Sequence, residues 1–199
     1  MTNPTIQSLR NRRTQYALGK SLPLSKTEVD ALVREAVRQA PSSFNSQSSR
    51  AVILFGEEHV KLWGIVKDTL RAIVPAEAFG STEAKLDSFA AGAGTVLFFE
   101  DQAAIQKLQQ DFPLYADNFP GFAEQSGGMA QLAVWTALSD AGIGASLQHY
   151  NPLIDAAVAS AWGLPESWKL RAQMPFGSNE KPFGDKTFMD DADRFRTFG

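Results

Sequence analysis

Three short polar segments contain most of the side chains that could bind a ligand. Arg12-Arg13-Thr14 is the tightest cluster of cations in the chain. Guanidinium groups bind phosphate through paired, charged hydrogen bonds, and a threonine hydroxyl can add a third, so this segment suits a phosphate group. A solvated basic turn is the alternative interpretation of the same residues.

The second segment, Pro41–Ser49, consists mostly of short polar side chains between an expected helix and an expected strand. Loops in such places are usually shorter. The hydroxyl and amide groups offer both donors and acceptors, which suits a neutral polar ligand such as a sugar-like chain or the edge of a uracil-like ring. A serine-rich turn without a ligand is the alternative.

The third segment, Gln148–Pro152, follows an expected strand and opens an expected helix. Loops at strand ends often hold ligands, and a helix N-terminus favours electron-rich partners. His149 is therefore a candidate ligand contact, with a purely structural hydrogen-bonding role as the alternative.

Common catalytic and metal-binding signatures do not occur in the sequence. It contains no nucleophile elbow, phosphate-binding P-loop or zinc-protease motif. The glycines of Ala91–Gly94 precede an expected strand, whereas a dinucleotide fingerprint needs them after it. The acidic residues of Asp190–Asp193 fit a solvated tail better than a cation site. With no cysteine and two histidines, we expect neither thiol chemistry nor a metal site.

The composition is typical of an ordinary globular protein. The chain has 199 residues, of which 44% are hydrophobic and 21% charged, and we expect one domain over residues 1–199. The net charge of -3 gives no cationic excess for binding nucleic acid or an anionic membrane. Met1–Lys20 lacks the apolar core of a secretory signal, and no apolar run suits a membrane span, so we expect a cytoplasmic protein.

Hydrophobic periodicity predicts alternating helices and strands, and therefore an α+β fold. Ser25 and Glu28 form a capping box that begins a helix ending before Pro41. Further helices are expected at 57–74, 102–110, 120–141 and from Asn151-Pro152 to Gly163, and strands at 51–55, 95–99, 144–148 and 169–174. Gly142 suits a left-handed cap for the long apolar helix, which we expect to bury part of its surface against a second subunit. We expect the tail, 175–199, to pack on another surface because it contains several phenylalanines.

Taken together, these segments resemble the nitroreductase family of flavoproteins. The matching stretches are Arg12-Arg13-Thr14, Pro41–Gln47 and Gly142–Pro152, with further similarity at Glu124–Ser126 and Val134–Leu138. The sequence resembles in particular the short nitroreductase-like proteins of bacteria and yeasts, one of which is linked to fatty-acid-dependent repression. The resemblance implies a nitroreductase-like fold with a mostly antiparallel sheet of four to five strands flanked by helices. It also implies a homodimer that binds FMN at the subunit interface.

The resemblance assigns binding roles to residues of this sequence. The phosphate-binding motif is matched by Arg12, Arg13 and Thr14, with Lys186 as the expected C-terminal partner. The loop that meets the flavin, typically from the partner subunit, is matched by Ser42, Ser43, Asn45 and Gln47. The segment that places backbone donors near flavin N5 and O4 is matched by Leu147, Gln148 and His149. Tyr16 stands where larger relatives often have a ring-contacting lysine, so the group that offsets negative charge at N1 of reduced flavin stays open.

The activity implied by the resemblance is FMN-dependent transfer of electrons from NAD(P)H to a nitroaromatic or a quinone. Flavin N5 would accept the hydride and the two substrates would bind in turn, so no side chain is assigned as catalytic. Small planar aromatic substrates need an aromatic wall, for which the phenylalanines near Pro113–Phe122 are candidates, with core packing as the alternative. Two other functions stay open: a flavin-binding regulator of redox stress or lipid signalling with incidental turnover, and a flavin-free small-molecule binding module.

Overall fold

A computed structural model describes residues 3–199, so Met1 and Thr2 lie outside the described residues. Helices pack on both faces of a central sheet, which confirms the α+β class. The helices are α1 Pro4–Asn11, α2 Lys26–Gln39, α3 Glu57–Arg71, α4 Phe79–Ala90, α5 Gln102–Asp111, α6 Phe119–Asp140, α7 Asp155–Trp162 and α8 Asp191–Arg194. The strands are β1 Leu18–Gly19, β2 Ser49–Phe55, β3 Gly94–Asp101, β4 Gly144–Ala145 and β5 Trp168–Asn179.

The five named strands form one open sheet in which each pair is antiparallel. β3 lies between β2 and β5, and the far part of β5 also pairs with β1 and β4. The expected mostly antiparallel sheet of four to five strands is therefore confirmed.

The hydrophobic core forms two layers because successive β3 side chains point to opposite faces of the sheet. Val96 and Phe98 pack among apolar residues of α2 and α6. Leu97 and Phe99 pack among those of α3, α4 and α7. This arrangement fixes α6 against one face of the sheet, and the first two polar segments contact this helix.

The local signals around α2 and α6 are confirmed. Ser25 and Glu28 cap α2 through reciprocal hydrogen bonds, and the helix ends two residues before Pro41. Gly142 follows α6 with a φ of 77°, in the left-handed region where glycine carries no steric penalty.

The predicted strand 144–148 is wrong beyond Ala145. β4 covers only Gly144–Ala145, although Gln148 forms a further bridge with Gln173 in the same register. Between them, the Ser146 N–H donates to the Pro175 carbonyl at 3.2 Å. Proline has no N–H to donate in return, so the ladder is interrupted at this pair.

The predicted start of the helix at Asn151-Pro152 is also wrong. α7 begins at Asp155, after a turn over residues 151–154. The Asn151 Oδ1 atom accepts a hydrogen bond from Gln173 Nε2 at 3.3 Å instead of capping a helix. The predicted end at Gly163 is confirmed, with φ 59°.

Other element boundaries in the structure differ from the predicted ones, because secondary-structure propensity is a weak guide near prolines and at strand ends. α3 ends at Arg71 rather than Val74, and β5 continues past Met174 to Asn179. Residues 180–199 are exposed on this chain. Three hydrogen bonds hold the start of this tail. The Glu180 N–H donates to the Ala17 carbonyl at 3.0 Å, Gln15 Nε2 to the Lys181 carbonyl at 2.7 Å and Arg13 Nη2 to the Gly184 carbonyl at 2.5 Å.

We expect the fold to lose stability below pH 6.5 through His59. Burial lowers the pKa of this imidazole from 6.5 to about 4, while its ring nitrogens lie 2.8 Å from Thr95 Oγ1 and 3.3 Å from the Ala90 carbonyl. The unfolded chain binds the proton first as pH falls, so the free energy of unfolding drops between pH 6.5 and about 4, by on the order of 3 kcal/mol. Urea unfolding of wild type and His59→Gln across this range measures the effect. Parallel pH profiles for the two proteins would contradict it.

Candidate functional site

Arg12 and Arg13 leave the end of α1 and turn toward α6. Arg12 is the C-cap residue of α1, with extended backbone, and its guanidinium lies 4.3 Å from the centre of the Trp135 ring. The Arg13 guanidinium binds the Gly184 carbonyl and lies 6.0 Å from the Phe183 ring. The two side chains are therefore held in place by a helix on one side and by the tail on the other.

The arginine pair carries positive charge without a carboxylate partner among residues 3–199. Both side chains are half-buried, and neither forms an ion pair in the described part of the chain. Burial, followed by repulsion from Arg13, lowers the pKa of Arg12. Adding an anion would relieve both effects, so the pair fits a phosphate group.

Thr14 and Tyr16 extend this site along the sheet. Thr14 forms a parallel bridge with Ala145, and the following residue donates its N–H to the Ala145 carbonyl at 2.9 Å. The first polar segment therefore pairs with β4, the short strand that leads into the third segment. Two cavities adjoin the first segment, one of about 460 Å³ lined by Arg13 and one of about 380 Å³ lined by Thr14 and Tyr16, and Phe183 lines both.

Sequence reasoning missed Lys85, a cation beside Tyr16. Its ammonium lies 6.0 Å from the centre of the Tyr16 ring. Lys85 belongs to α4, an element the periodicity analysis did not predict. Only its place in the second turn of a packed helix brings it near Tyr16, so the sequence offers no direct signal for it.

The segment Ser42–Gln47, called here the 42–47 loop, has an unusual backbone. Phe44, Asn45 and Gln47 have φ values of 56°, 50° and 47°, in the left-handed region that residues other than glycine rarely adopt. The Ser42 hydroxyl accepts from the Gln47 N–H at 2.9 Å, and the Ser43 N–H donates to Ser126 Oγ at 3.4 Å. Such conformations persist where surrounding contacts enforce them, often at ligand sites.

Glu100, which sequence reasoning also missed, binds the two residues that follow the loop. Its side chain accepts from the hydroxyls of Ser48 at 2.6 Å and Ser49 at 2.5 Å, directly after the loop. The residue is 1% exposed, and burial raises the pKa of its carboxyl group, opposed by the serine hydrogen bonds and by Arg171 and Arg50. The only feature of the sequence that could have identified Glu100 is its polar side chain near the end of an apolar strand.

An aromatic cluster lies beside the 42–47 loop. The Phe44 ring centre lies 4.9 Å from that of Phe112, 5.3 Å from Phe119 and 6.2 Å from Tyr115. Phe119 is buried, as the core-packing alternative expects, whereas Phe44, Phe112 and Tyr115 are largely exposed. The exposed members can form one wall of a pocket for a planar molecule.

The segment Leu147–His149 presents backbone donors along the edge of β5. Gln148 is buried and exchanges two backbone hydrogen bonds with Gln173, at 2.7 and 2.9 Å. Since N–H groups of an extended strand point alternately to two sides, those of Leu147 and His149 point away from β5. The His149 side chain is exposed.

The Lys186 side chain does not contact the arginine pair in the described residues. It is exposed, and its ammonium lies 5.5 Å from the Phe188 ring. The tail contact of Arg13 is to Gly184, two residues earlier, so the structure brings the tail, but not the Lys186 side chain itself, to the arginines.

The predicted residues form two groups at different places on α6. Ser43 contacts α6 at Ser126, whereas Arg12 contacts it at Trp135, nine residues further on. An α-helix rises 1.5 Å and turns 100° per residue, so these contacts lie about 14 Å apart and on opposite faces of α6. Between them, the side chains of Met129 and Leu132 are 41% and 44% exposed.

Comparison with known proteins establishes the family of this chain. A family model described as Nitroreductase family matches residues 9–178. The chain belongs to the nitroreductase family. The HBN1 protein of Saccharomyces cerevisiae is 40% identical over 186 residues, covering 92% of each chain.

Solved structures share the fold. The nitroreductase CinD from Lactococcus lactis, crystallised with nicotinic acid, is 55% identical with a TM-score of 0.92, covering 98% of this chain and 100% of CinD. A nitroreductase with bound FMN from Desulfitobacterium hafniense is 16% identical, with a TM-score of 0.73 over the whole of both chains. The expected family and fold are confirmed, and family membership supports an oxidoreductase role.

Two further observations concern metals and membranes. Within residues 3–199, no three side chains of the His, Asp or Glu type are grouped closely enough to hold a metal ion. None of the helices in the same range has the length and hydropathy needed to cross a membrane.

Proposed function

We propose that residues 1–199 form one FMN-binding domain of a cytoplasmic, homodimeric oxidoreductase that transfers electrons from NAD(P)H to nitroaromatics or quinones. The observation that carries the proposal is the arginine pair, which is half-buried and has no carboxylate partner among residues 3–199. The relatives reported above support the choice of FMN as its ligand.

The FMN phosphate would be held by the residues at the end of α1. Arg12 is stacked on Trp135, which limits the orientations of its guanidinium and presents its donors toward the ligand. Thr14 would add a hydroxyl, and Lys186, two residues beyond the tail contact of Arg13, would add a third cation from the C-terminal side.

The flavin ring would be held by two sets of polar groups. The N–H groups of Leu147 and His149 point away from β5 and can donate to ring acceptors, while the buried Gln148 fixes their direction. Tyr16 lines the cavity of about 380 Å³ beside Thr14, and the Lys85 ammonium lies 6.0 Å from its ring. The second set, on the 42–47 loop, comprises the side chains of Ser42, Ser43, Asn45 and Gln47.

The second set would come from the partner subunit. The 42–47 loop and Arg12 contact opposite faces of α6, about 14 Å apart along its axis, so one chain does not bring them together. The exposed Met129 and Leu132 give α6 an apolar surface between the two groups. Packing this surface against a second copy would bury it and place the partner's loop near the arginine pair.

Bound FMN supplies a ring atom that can accept and return a hydride, which no side chain of this protein can do. The protein would orient the ring through backbone donors and leave one face open to a planar substrate. The exposed rings of Phe44, Phe112 and Tyr115 suit that face. CinD has also been crystallised with chloramphenicol and with 4-nitrophenol, both of which contain a nitroaromatic ring.

We expect the purified protein, once loaded with FMN, to lose its visible flavin absorbance within seconds of adding excess NADH or NADPH without oxygen. Adding 4-nitrophenol to the reduced protein should restore the absorbance, because two-substrate turnover requires both half-reactions. Stopped-flow absorbance measures each half-reaction separately, with free FMN at equal concentration as the control. A bound flavin that stays oxidised with both donors would refute the enzyme function and favour a flavin-binding regulator. A protein that binds no FMN would favour the small-molecule binding module.

A further inference from the structure

The carboxyl group of Glu100 is fully buried, yet the chemistry proposed above does not use it. It lies near the end of β3, directly opposite Ser49 in the register with β2. Both of its oxygen atoms accept hydrogen bonds from serine hydroxyls, Oε2 from Ser48 and Oε1 from Ser49. The backbone of the next residue, Asp101, donates its N–H to the Ser48 carbonyl at 2.9 Å. Three hydrogen bonds therefore tie the two residues that follow the 42–47 loop to one end of β3.

The surroundings of Glu100 are built to accept a carboxyl group. A Cβ atom at Gly127 on α6 would lie 2.8 Å from Glu100 Oε1, so glycine leaves the space that this oxygen occupies. Arg171 stands at the irregularity between β3 and β5, where Phe98 pairs with Ala172 and Phe99 with Leu170, so it is the extra residue of a bulge. Its charge and that of Arg50 favour the ionised carboxyl.

The 42–47 loop needs such an anchor. Three of its residues have left-handed backbone conformations without being glycine, and these persist only when neighbouring contacts enforce them. Within the loop, the Gln47 N–H is held by Ser42, and at its start Ser43 is held by Ser126 of α6. At its end, the adjacent Ser48 is 0% exposed, and Glu100 accepts the hydrogen bond from its hydroxyl.

We propose that Glu100 is a positioning residue that holds the 42–47 loop in its ligand-binding conformation through Ser48 and Ser49, in the space provided by Gly127. The proposal rests on the proposed function for the identity of the ligand, FMN. Glu100 would not touch the flavin itself. It would act by keeping the Asn45 and Gln47 side chains oriented toward the flavin.

The test compares Glu100→Ala with Thr95→Val. Thr95 is equally buried on the same strand, and its hydroxyl accepts from Trp63 Nε1 at 3.0 Å, but it lies at the other end of β3. We expect Glu100→Ala to raise the FMN dissociation constant on the order of tenfold to a hundredfold, because a pair of hydrogen bonds to a charged group is lost. Thr95→Val should stay within twofold of wild type. FMN titration followed by flavin fluorescence measures both.

A second pair of variants leaves Glu100 unchanged. Gly127→Ala should displace the carboxyl group and weaken FMN binding about tenfold, whereas Gly64→Ala in α3, with nothing within 4 Å of the added carbon, should not. This pair tests the proposal even if Glu100→Ala fails to fold. Wild-type affinity in Gly127→Ala, or equal losses in the test and control variants, would overturn it.

Hydrogen exchange without FMN separates this proposal from the proposed function. The amides of residues 43–48 should exchange at least tenfold faster in Glu100→Ala and Gly127→Ala than in wild type, while those of central β3 keep their protection. Unchanged loop exchange would overturn the anchoring role. Failure of the wild type to bind FMN would refute the ligand but not the anchor, because this readout contains no flavin.

Discussion

Arg13→Ala should bind FMN on the order of tenfold to a hundredfold more weakly than wild type but bind riboflavin equally well. The guanidinium is half-buried beside Arg12 without a carboxylate among residues 3–199, so its natural partner is the phosphate, which riboflavin lacks. A hydrogen bond to a charged group contributes about 1.5–3 kcal/mol, which corresponds to this range of affinity. Titration of the protein with each flavin, followed by fluorescence, measures both constants.

Two further variants make the Arg13 result specific. Arg13→Lys keeps the charge but loses the planar pair of donors, so we expect an intermediate FMN affinity. Arg71→Ala removes an exposed arginine that pairs with Glu83 on the other side of the sheet, and should change neither constant. Because Arg13 also holds the tail at Gly184, a loosened tail would weaken FMN and riboflavin together. Equal losses for the two flavins would therefore contradict a phosphate contact.

The elements with strong local signals were predictable from the sequence. α2 has a capping box and an apolar stripe, and β2 and β3 contain dense runs of branched and aromatic residues. These signals depend on residues close together in the chain, so they can be recognised without knowledge of the fold. The same holds for the left-handed Gly142 after α6.

The errors arose where a distant residue decided the local structure. Pro175 interrupts the hydrogen-bond ladder between β4 and β5 beside Ser146. Gln173 donates a hydrogen bond to the Asn151 side chain, which was expected to cap a helix. α4 has a weakly amphipathic sequence with no capping side chain, and its position comes from packing Leu86 and Phe89 into the core. None of these effects can be found from the spacing of neighbouring residues.

The polar segments of the candidate site could be predicted from the sequence, but the residues that contact and position them could not. Arg12, Arg13 and the 42–47 loop stand out because charged and short polar residues are concentrated there. Glu100 does not stand out because it lies near the end of a strand defined by its apolar residues, and Lys85 does not because it is one of several polar residues on α4. Their relation to Ser48 and Tyr16 appears only after strands and helices have been paired.

Mixing two defective variants should restore binding sites that neither has alone. Arg13→Ala damages the arginine pair, and Asn45→Gly removes a side chain of the 42–47 loop while keeping its left-handed backbone accessible. If each site combines the arginine pair of one chain with the loop of the other, a heterodimer contains one intact site and one doubly damaged site. After random exchange of equal amounts, about a quarter of all sites should bind FMN with wild-type affinity. Subunit exchange is verified by mass spectrometry of the intact dimers.

The matched control places both changes in one chain. When Arg13→Ala/Asn45→Gly is mixed with an equal amount of wild type, every heterodimer site receives one damaged half if sites are shared between chains. Only wild-type homodimers then keep intact sites, so about a quarter of the sites should bind FMN tightly. If each chain carried a complete site, about half would do so, and the two single variants would restore none. The opposite faces of α6 contacted by Ser43 and Arg12 favour the shared arrangement.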